Sequence, residues 1–204
     1  MKPLTLLLIS GSLRAGSSNA AALHTASALA PAGVTVQFFE RMGDLPHFNP
    51  DLEQASLPEP VADLRQQLAA ADAVLVSTPE YAGALPGSFK NLLDWSVGEG
   101  LYRKPIGYLN VSPHEGGAER TYQMLRVVLG YVHADLVEAA CVRAPVRRDA
   151  VDAEQQVTDP AVRETIRRAV AALVEHAASA RAVHDQRRKA EHADDDAEHD
   201  AEKR

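Results

Sequence analysis

Leu4-Thr-Leu-Leu-Leu-Ile-Ser-Gly-Ser-Leu-Arg-Ala-Gly-Ser-Ser-Asn19 joins an apolar run to a polar loop, and a helix-compatible run, Ala20 to Ala30, follows. Leu4–Ile9 is apolar at nearly every position. That predicts a strand buried on both faces, as in a parallel sheet covered by helices. The loop Ser10–Asn19 holds hydroxyls on Ser10, Ser12, Ser17 and Ser18, an amide on Asn19 and a fixed cation on Arg14. The helix behind it adds free backbone N–H groups and the positive end of its dipole. Together these donors suit a phosphate monoester. Gly11 and Gly16 let the backbone turn tightly around it. The competing reading is a Ser/Asn helix cap beside a surface arginine. No Gly-Lys-Ser/Thr follows, and Ser12 and Leu13 break the G-x-G-x-x-G spacing, so neither common nucleotide loop is present. A hydroxyl-rich loop of this kind fits the single terminal phosphate of a mononucleotide such as FMN.

Working outward, further strands are predicted at Thr35–Phe39, Ala73–Ser77, Pro105–Val111 and Asp135–Val142. Helices are predicted near Ser18–Ala30, Pro60–Ala71, Ser88–Val97 and Ala118–Val132. A last helix starts at Asp159-Pro160, and Val162, Ile166, Val170, Leu173 and Ala177 mark its buried stripe. Arg41 to Glu59 is a long connection with Pro46, Pro50 and Pro58, of the kind that is usually functional or mobile. Strictly alternating strands and helices imply an α/β fold. The expected architecture is a flavodoxin-like three-layer sandwich, with a five-stranded parallel sheet in the order 2-1-3-4-5. Its ligand site lies at the switch point between strands one and three.

The chain has 204 residues, enough for one sizeable core. The run Leu6 to Ile9 is far too short to cross a membrane, and Leu4–Ile9 leads into a loop rather than a cleavage site. Cys141 is the one cysteine, so no internal disulfide or multi-cysteine metal site is possible. That composition fits the cytoplasm. Net charge is −7, and most of it lies at the end: Glu191, Asp194, Asp195, Asp196, Glu198, Asp200 and Glu202 stand against Lys203 and Arg204. The remainder is close to neutral, and no basic stripe points to nucleic acid. Beyond about Arg181 large apolar residues nearly vanish. Residues 1–181 are therefore read as the folded domain. Residues 182–204 are a charged tail, either disordered or a frayed helical extension.

A second loop, from Thr78 to Trp95, follows strand three. Ser12-Leu-Arg-x-x-Ser-x-Asn19, Pro79-Glu-Tyr81, Pro86-Gly87 and Lys90-Asn91-x-x-Asp94-Trp95 together closely resemble the NADPH-dependent FMN reductase family, over about residues 4–175. That resemblance implies a flavin, quinone, chromate or azo-dye reductase. It implies that Ser12, Leu13, Arg14, Ser17, Ser18 and Asn19 wrap the FMN phosphate. It places Pro79, Glu80, Tyr81, Ala82 and Gly83 along the flavin ring, with Ser112 also in contact. The family often has Asn after Pro-Glu-Tyr, where this chain has Ala82. Glu80 is better suited to tying its loop to a neighbour than to acting as a base. His114 stands near the expected flavin face as a candidate substrate contact, or as an exposed loop histidine. His24 and His133 are read as helix-surface or capping residues.

The implied activity moves two electrons from NADPH or NADH through FMN to a small acceptor: a flavin, quinone, azo compound or metal oxyanion. FMN carries the chemistry, so no catalytic side chain and no metal are expected. No contact with nucleic acid or membrane is expected, and the resemblance implies a homodimer or homotetramer. Two rivals remain: a flavodoxin-like electron carrier, and a flavin-binding module without turnover. Carriers usually spread acid over the folded domain, whereas here it sits in the tail.

Overall fold

The computed structural model describes residues 2–98 and 100–202. Five parallel strands run β1 (Leu4–Ser10), β2 (Val34–Phe39), β3 (Ala73–Ser77), β4 (Pro105–Asn110) and β5 (Asp135–Arg143). Their order is β2-β1-β3-β4-β5, as the alternation of elements led us to expect. The helices are α1 (Ser18–Ala28), α2 (Pro50–Ala55), α3 (Glu59–Ala70), α4 (Gly87–Trp95), α5 (Glu119–Tyr131) and α6 (Pro160–Glu202).

Side chains alternate across a strand, and β1 shows why its sequence does not. Leu7 and Ile9 enter the core beneath α3, α4 and α5, while Leu6 and Leu8 enter the core beneath α1 and α6. Both faces are covered, so every position must be apolar. The edge strand β2 instead alternates between half-buried and exposed residues. The expected stripe of α6, from Val162 to Ala177, is buried throughout. α6 continues past Arg181, so the backbone of the charged tail is helical through Glu202.

Two differences concern the connections. The long stretch after β2 contains α2, which the prolines obscured. Asn49 caps it by accepting from the Asp51 N–H at 3.0 Å, and Pro50 fills its first turn. The same stretch is pinned by α4. Asn91 Nδ2 and Trp95 Nε1 both donate to the Pro46 carbonyl, at 2.9 and 2.8 Å, and Phe48 packs edge-on against Trp95. Asn91 and Trp95 are thus packing residues. Cys141 sits in β5, where burial pushes its thiol up to about 11, an inert group. His133 takes a left-handed φ of 54° just past α5 and closes that helix, while the His24 ring packs at a tilt against Phe38.

Candidate functional site

The chain ends of β1, β3 and β4 meet at the switch point, and the loops leaving them are stitched together there. The Gly11 N–H donates to the Ser77 carbonyl at 2.8 Å. A Cβ at Gly11 would lie 2.1 Å from Thr78 Oγ1, so only glycine allows this approach. Tyr122, buried on α5, braces the other side. Its hydroxyl donates to the Leu109 carbonyl at 2.6 Å and accepts from the Thr78 N–H at 3.2 Å. Burial raises this phenol far above its usual range, so it stays protonated. The Ser77 hydroxyl lies 2.9 Å from both Asn19 Oδ1 and the Leu109 carbonyl.

A cleft of about 740 Å³ opens above this knot, within the 300–1,000 Å³ typical of small-molecule sites. Its wall contains Ser12, Arg14, Ser17, Ser18 and Asn19 from the first loop, Pro79, Glu80 and Tyr81 from the second, and Ser112 and His114 from the third. Three chain-distant loops singled out by sequence are therefore brought onto one cavity. Leu13, Ala82 and Gly83 lie outside that wall. Leu13 is 61% exposed, and Ala82 and Gly83 form the tip of a turn closed by paired bonds between Tyr81 and Ala84.

Hydrogen bonding decides what each side chain has left to offer. Ser17 caps α1, its Oγ accepting from the Ala20 N–H at 3.1 Å. Ser12 Oγ accepts from the Arg14 N–H at 3.3 Å. Each hydroxyl keeps its proton to give to an anion. The Ser18 and Asn19 amides, in the first turn of α1, have no intrahelical acceptor. Asn19 is 7% exposed and turned toward Ser77, so its side chain secures the loop to β3. Arg14 forms no ion pair among the described residues. Glu80 Oε2 accepts from the Thr121 N–H at 3.2 Å, at the positive end of α5. It ties its loop to a neighbour, as expected.

The third loop is built with the same economy. Asn110 holds it from within, accepting from the Ser112 N–H at 3.1 Å and donating to the Gly117 carbonyl at 3.0 Å. Arg143, at the end of β5, donates to the carbonyls of Ser112 and His114. Tyr81 stands 54% exposed at the mouth. Sequence reasoning missed Thr78, Val111, Pro113, Ala118 and Val146 in the wall, and the charged run Arg147, Arg148 and Asp149. Only the double arginine carried a trace of this, and nothing local placed it at the cleft. Among the described residues no group of His, Cys, Asp or Glu is placed to hold a metal ion.

This donor set fits FMN: hydroxyls and a cation at one end, a rigid proline-containing loop and an aromatic at the other. Residues 4–146 match the family described as NADPH-dependent FMN reductase. The chain belongs to the NADPH-dependent FMN reductase family. A relative within it, an NAD(P)H-dependent FMN reductase of Pseudomonas aeruginosa, is 34% identical over 171 residues, which is 82% of this chain and 92% of that protein. A quinone reductase of Escherichia coli K12 is 33% identical, over 64% of this chain and 72% of its own length. Among solved structures, the flavoenzyme NAD(P)H:(acceptor) oxidoreductase FerB of Paracoccus denitrificans is similar with a TM-score of 0.72 and 30% identity. That match covers 86% of this chain and 98% of FerB. As a family member this protein is an NAD(P)H-dependent oxidoreductase that works through FMN.

Proposed function

We propose that the protein passes two electrons from NAD(P)H to a quinone or a free flavin. The observation that carries this reading is the single cleft that unites the hydroxyl-and-arginine loop with the Pro79–Tyr81 loop and His114. Ser12, Arg14, Ser17 and Ser18 are assigned to the FMN phosphate, with the α1 amides behind them. Asn19 positions that loop from inside. The backbone of Pro79 to Tyr81 is assigned to the polar edge of the flavin ring, held in place by Glu80 and Tyr122. Ser112 completes that edge from β4, and Tyr81 and His114 flank the face where nicotinamide and acceptor bind in turn. FMN, when bound, supplies hydride acceptance and electron delivery. The chain's part is alignment, since the reacting atoms must approach to about 3–3.5 Å.

The quinone and flavin acceptors are favoured by the named activities of the two bacterial relatives. Azo compounds and metal oxyanions are the wider class. A homodimer or homotetramer is supported by Met124, Val127 and Tyr131, which line up on α5 and stand exposed, Val127 at 74% and Tyr131 at 79%. No described helix is long and apolar enough to cross a membrane, and a cytoplasmic enzyme with a lone inert cysteine is the reading that fits. The folded part, 1–181, is the catalytic unit, and 182–204 is an appendage to it.

Anaerobic rapid mixing tests the proposal. The holoprotein is mixed with NADPH or NADH, and then with quinone, flavin, azo and oxyanion acceptors. The flavin should bleach in one phase and recover fastest with quinone or flavin. No bleaching by either nucleotide would leave the electron-carrier reading in its place.

A further inference from the structure

The segment between β5 and α6 carries no regular element beyond one short 3-10 turn, Arg148–Ala150, yet it is firmly held. The Val146 N–H donates to the Val111 carbonyl at 3.0 Å, and the Val157 N–H to Thr25 Oγ1 on α1 at 2.8 Å. Val151 and Val157 pair across an isolated bridge. Val146 and Val157 are both buried. These ties make the segment a strap from β5, past the end of β4, to α1. They bring Arg147, Arg148 and Asp149 to the cleft that also contains Arg14 and Ser17.

The two strap arginines are not equivalent. Arg147 Nε and Nη2 donate to the two Asp149 oxygens at 3.0 and 2.9 Å, so that pair is neutral as a unit. Arg148 is exposed and has no hydrogen-bond or ion-pair partner among the described residues. The Arg14 guanidinium on the opposite loop is likewise exposed and without a partner among the described residues. A cleft with two uncommitted guanidinium groups on loops from different strands offers two charge-assisted forks to one anion.

We propose that Arg148 binds a phosphate monoester in this cleft, acting from the strap while Arg14 acts from the β1 loop. This rests on the FMN reading above. A phosphate monoester carries about −1.5 to −2 charge at neutral pH, more than one guanidinium balances. Two sources share this chemistry: the terminal phosphate of FMN and the 2′-phosphate that separates NADPH from NADH. The sequence offered no clamp for the second, because the strap's place over the cleft is a tertiary fact.

The test uses the holoprotein and its Arg148→Ala, Arg148→Lys, Arg14→Ala and doubly substituted forms. Flavin release on dilution at low salt is followed by fluorescence for FMN and for riboflavin. Anaerobic bleaching of the bound flavin is then titrated with NADPH and with NADH. For an exposed arginine, Arg148→Ala should loosen FMN about tenfold, with riboflavin little changed and Arg148→Lys recovering part of the loss. The double variant should lose more than either single one. If FMN retention holds but NADPH alone is needed at about tenfold higher concentration, the proposal stands with NADPH as the source. Unchanged FMN and NADPH binding in Arg148→Ala would overturn it. So would equal loss for riboflavin and FMN, or, with FMN retention unchanged, equal loss for NADH and NADPH. Wild-type protein that retains no flavin sinks the FMN reading itself, and that result precedes any variant.

Discussion

Ala82 occupies a backbone conformation that its side chain does not favour. Its φ is 52° and that of Gly83 is 74°, while Tyr81 and Ala84 exchange two backbone bonds of 3.1 Å. Two central residues with positive φ are the pattern of a type I′ turn, which prefers Asn-Gly. An Ala there crowds its Cβ against the following carbonyl, at a cost of about 1 kcal/mol. Ala82→Asn should stabilise the protein by roughly 0.5–1 kcal/mol, raising the thermal midpoint by about 1–4 °C. Calorimetry on the two proteins checks this, and a lowered midpoint would contradict the turn assignment.

Between elements, one phenol does the joining. Tyr122 links α5 to the ends of β3 and β4, and its ring stacks on Tyr108 with centroids 4.4 Å apart. Tyr122→Phe keeps the stack and removes the hydroxyl. Leu109 retains its bond from Ser77, but the Thr78 N–H, in a residue 1% exposed, loses its acceptor. A buried donor left unpaired costs about 1–3 kcal/mol. The denaturant midpoint should fall by that free energy divided by the slope, with the slope unchanged because the surface exposed on unfolding is the same. An unmoved midpoint would mean that water takes the place of the hydroxyl. Because Thr78 also lines the cleft, FMN retention should weaken with it.

At the scale of the whole molecule, α6 is fastened to the fold near Arg181 and then runs on. Arg181 Nη1 lies 3.6 Å from Asp72 Oδ2 and donates to the Pro3 carbonyl at 3.4 Å. The same Asp72 oxygen accepts from the Thr5 N–H at the start of β1, at 2.8 Å. Ending the chain after Arg181 keeps these ties and removes a highly charged segment that is itself net acidic. We expect the shortened protein to retain FMN, turnover and its melting temperature. Loss of flavin on truncation, measured by absorbance after gel filtration, would show that the tail docks on the fold.

Local patterns in the chain determined its architecture. The uniform apolarity of Leu4–Ile9 demands cover on both faces, and alternating strands and helices then leave few topologies. The two site loops were legible for the same reason, since a helix cap, a proline-rich turn and a cluster of hydroxyls are properties of neighbours in sequence. Side-chain direction was not. Asn19 faces Ser77, 58 residues away, and Glu80 meets Thr121, 41 residues away. The strap reaches the cleft because Val157 is bonded to Thr25 across 132 residues. Such pairings exist only once the strand order brings remote loops to one end of the sheet. Burial then makes most polar groups find a partner there. The sequence by itself determined the fold and which loops the strand order gathers at the cleft. Only the tertiary structure decided which donors are consumed in building that site and which, like Arg14 and Arg148, are left facing into it.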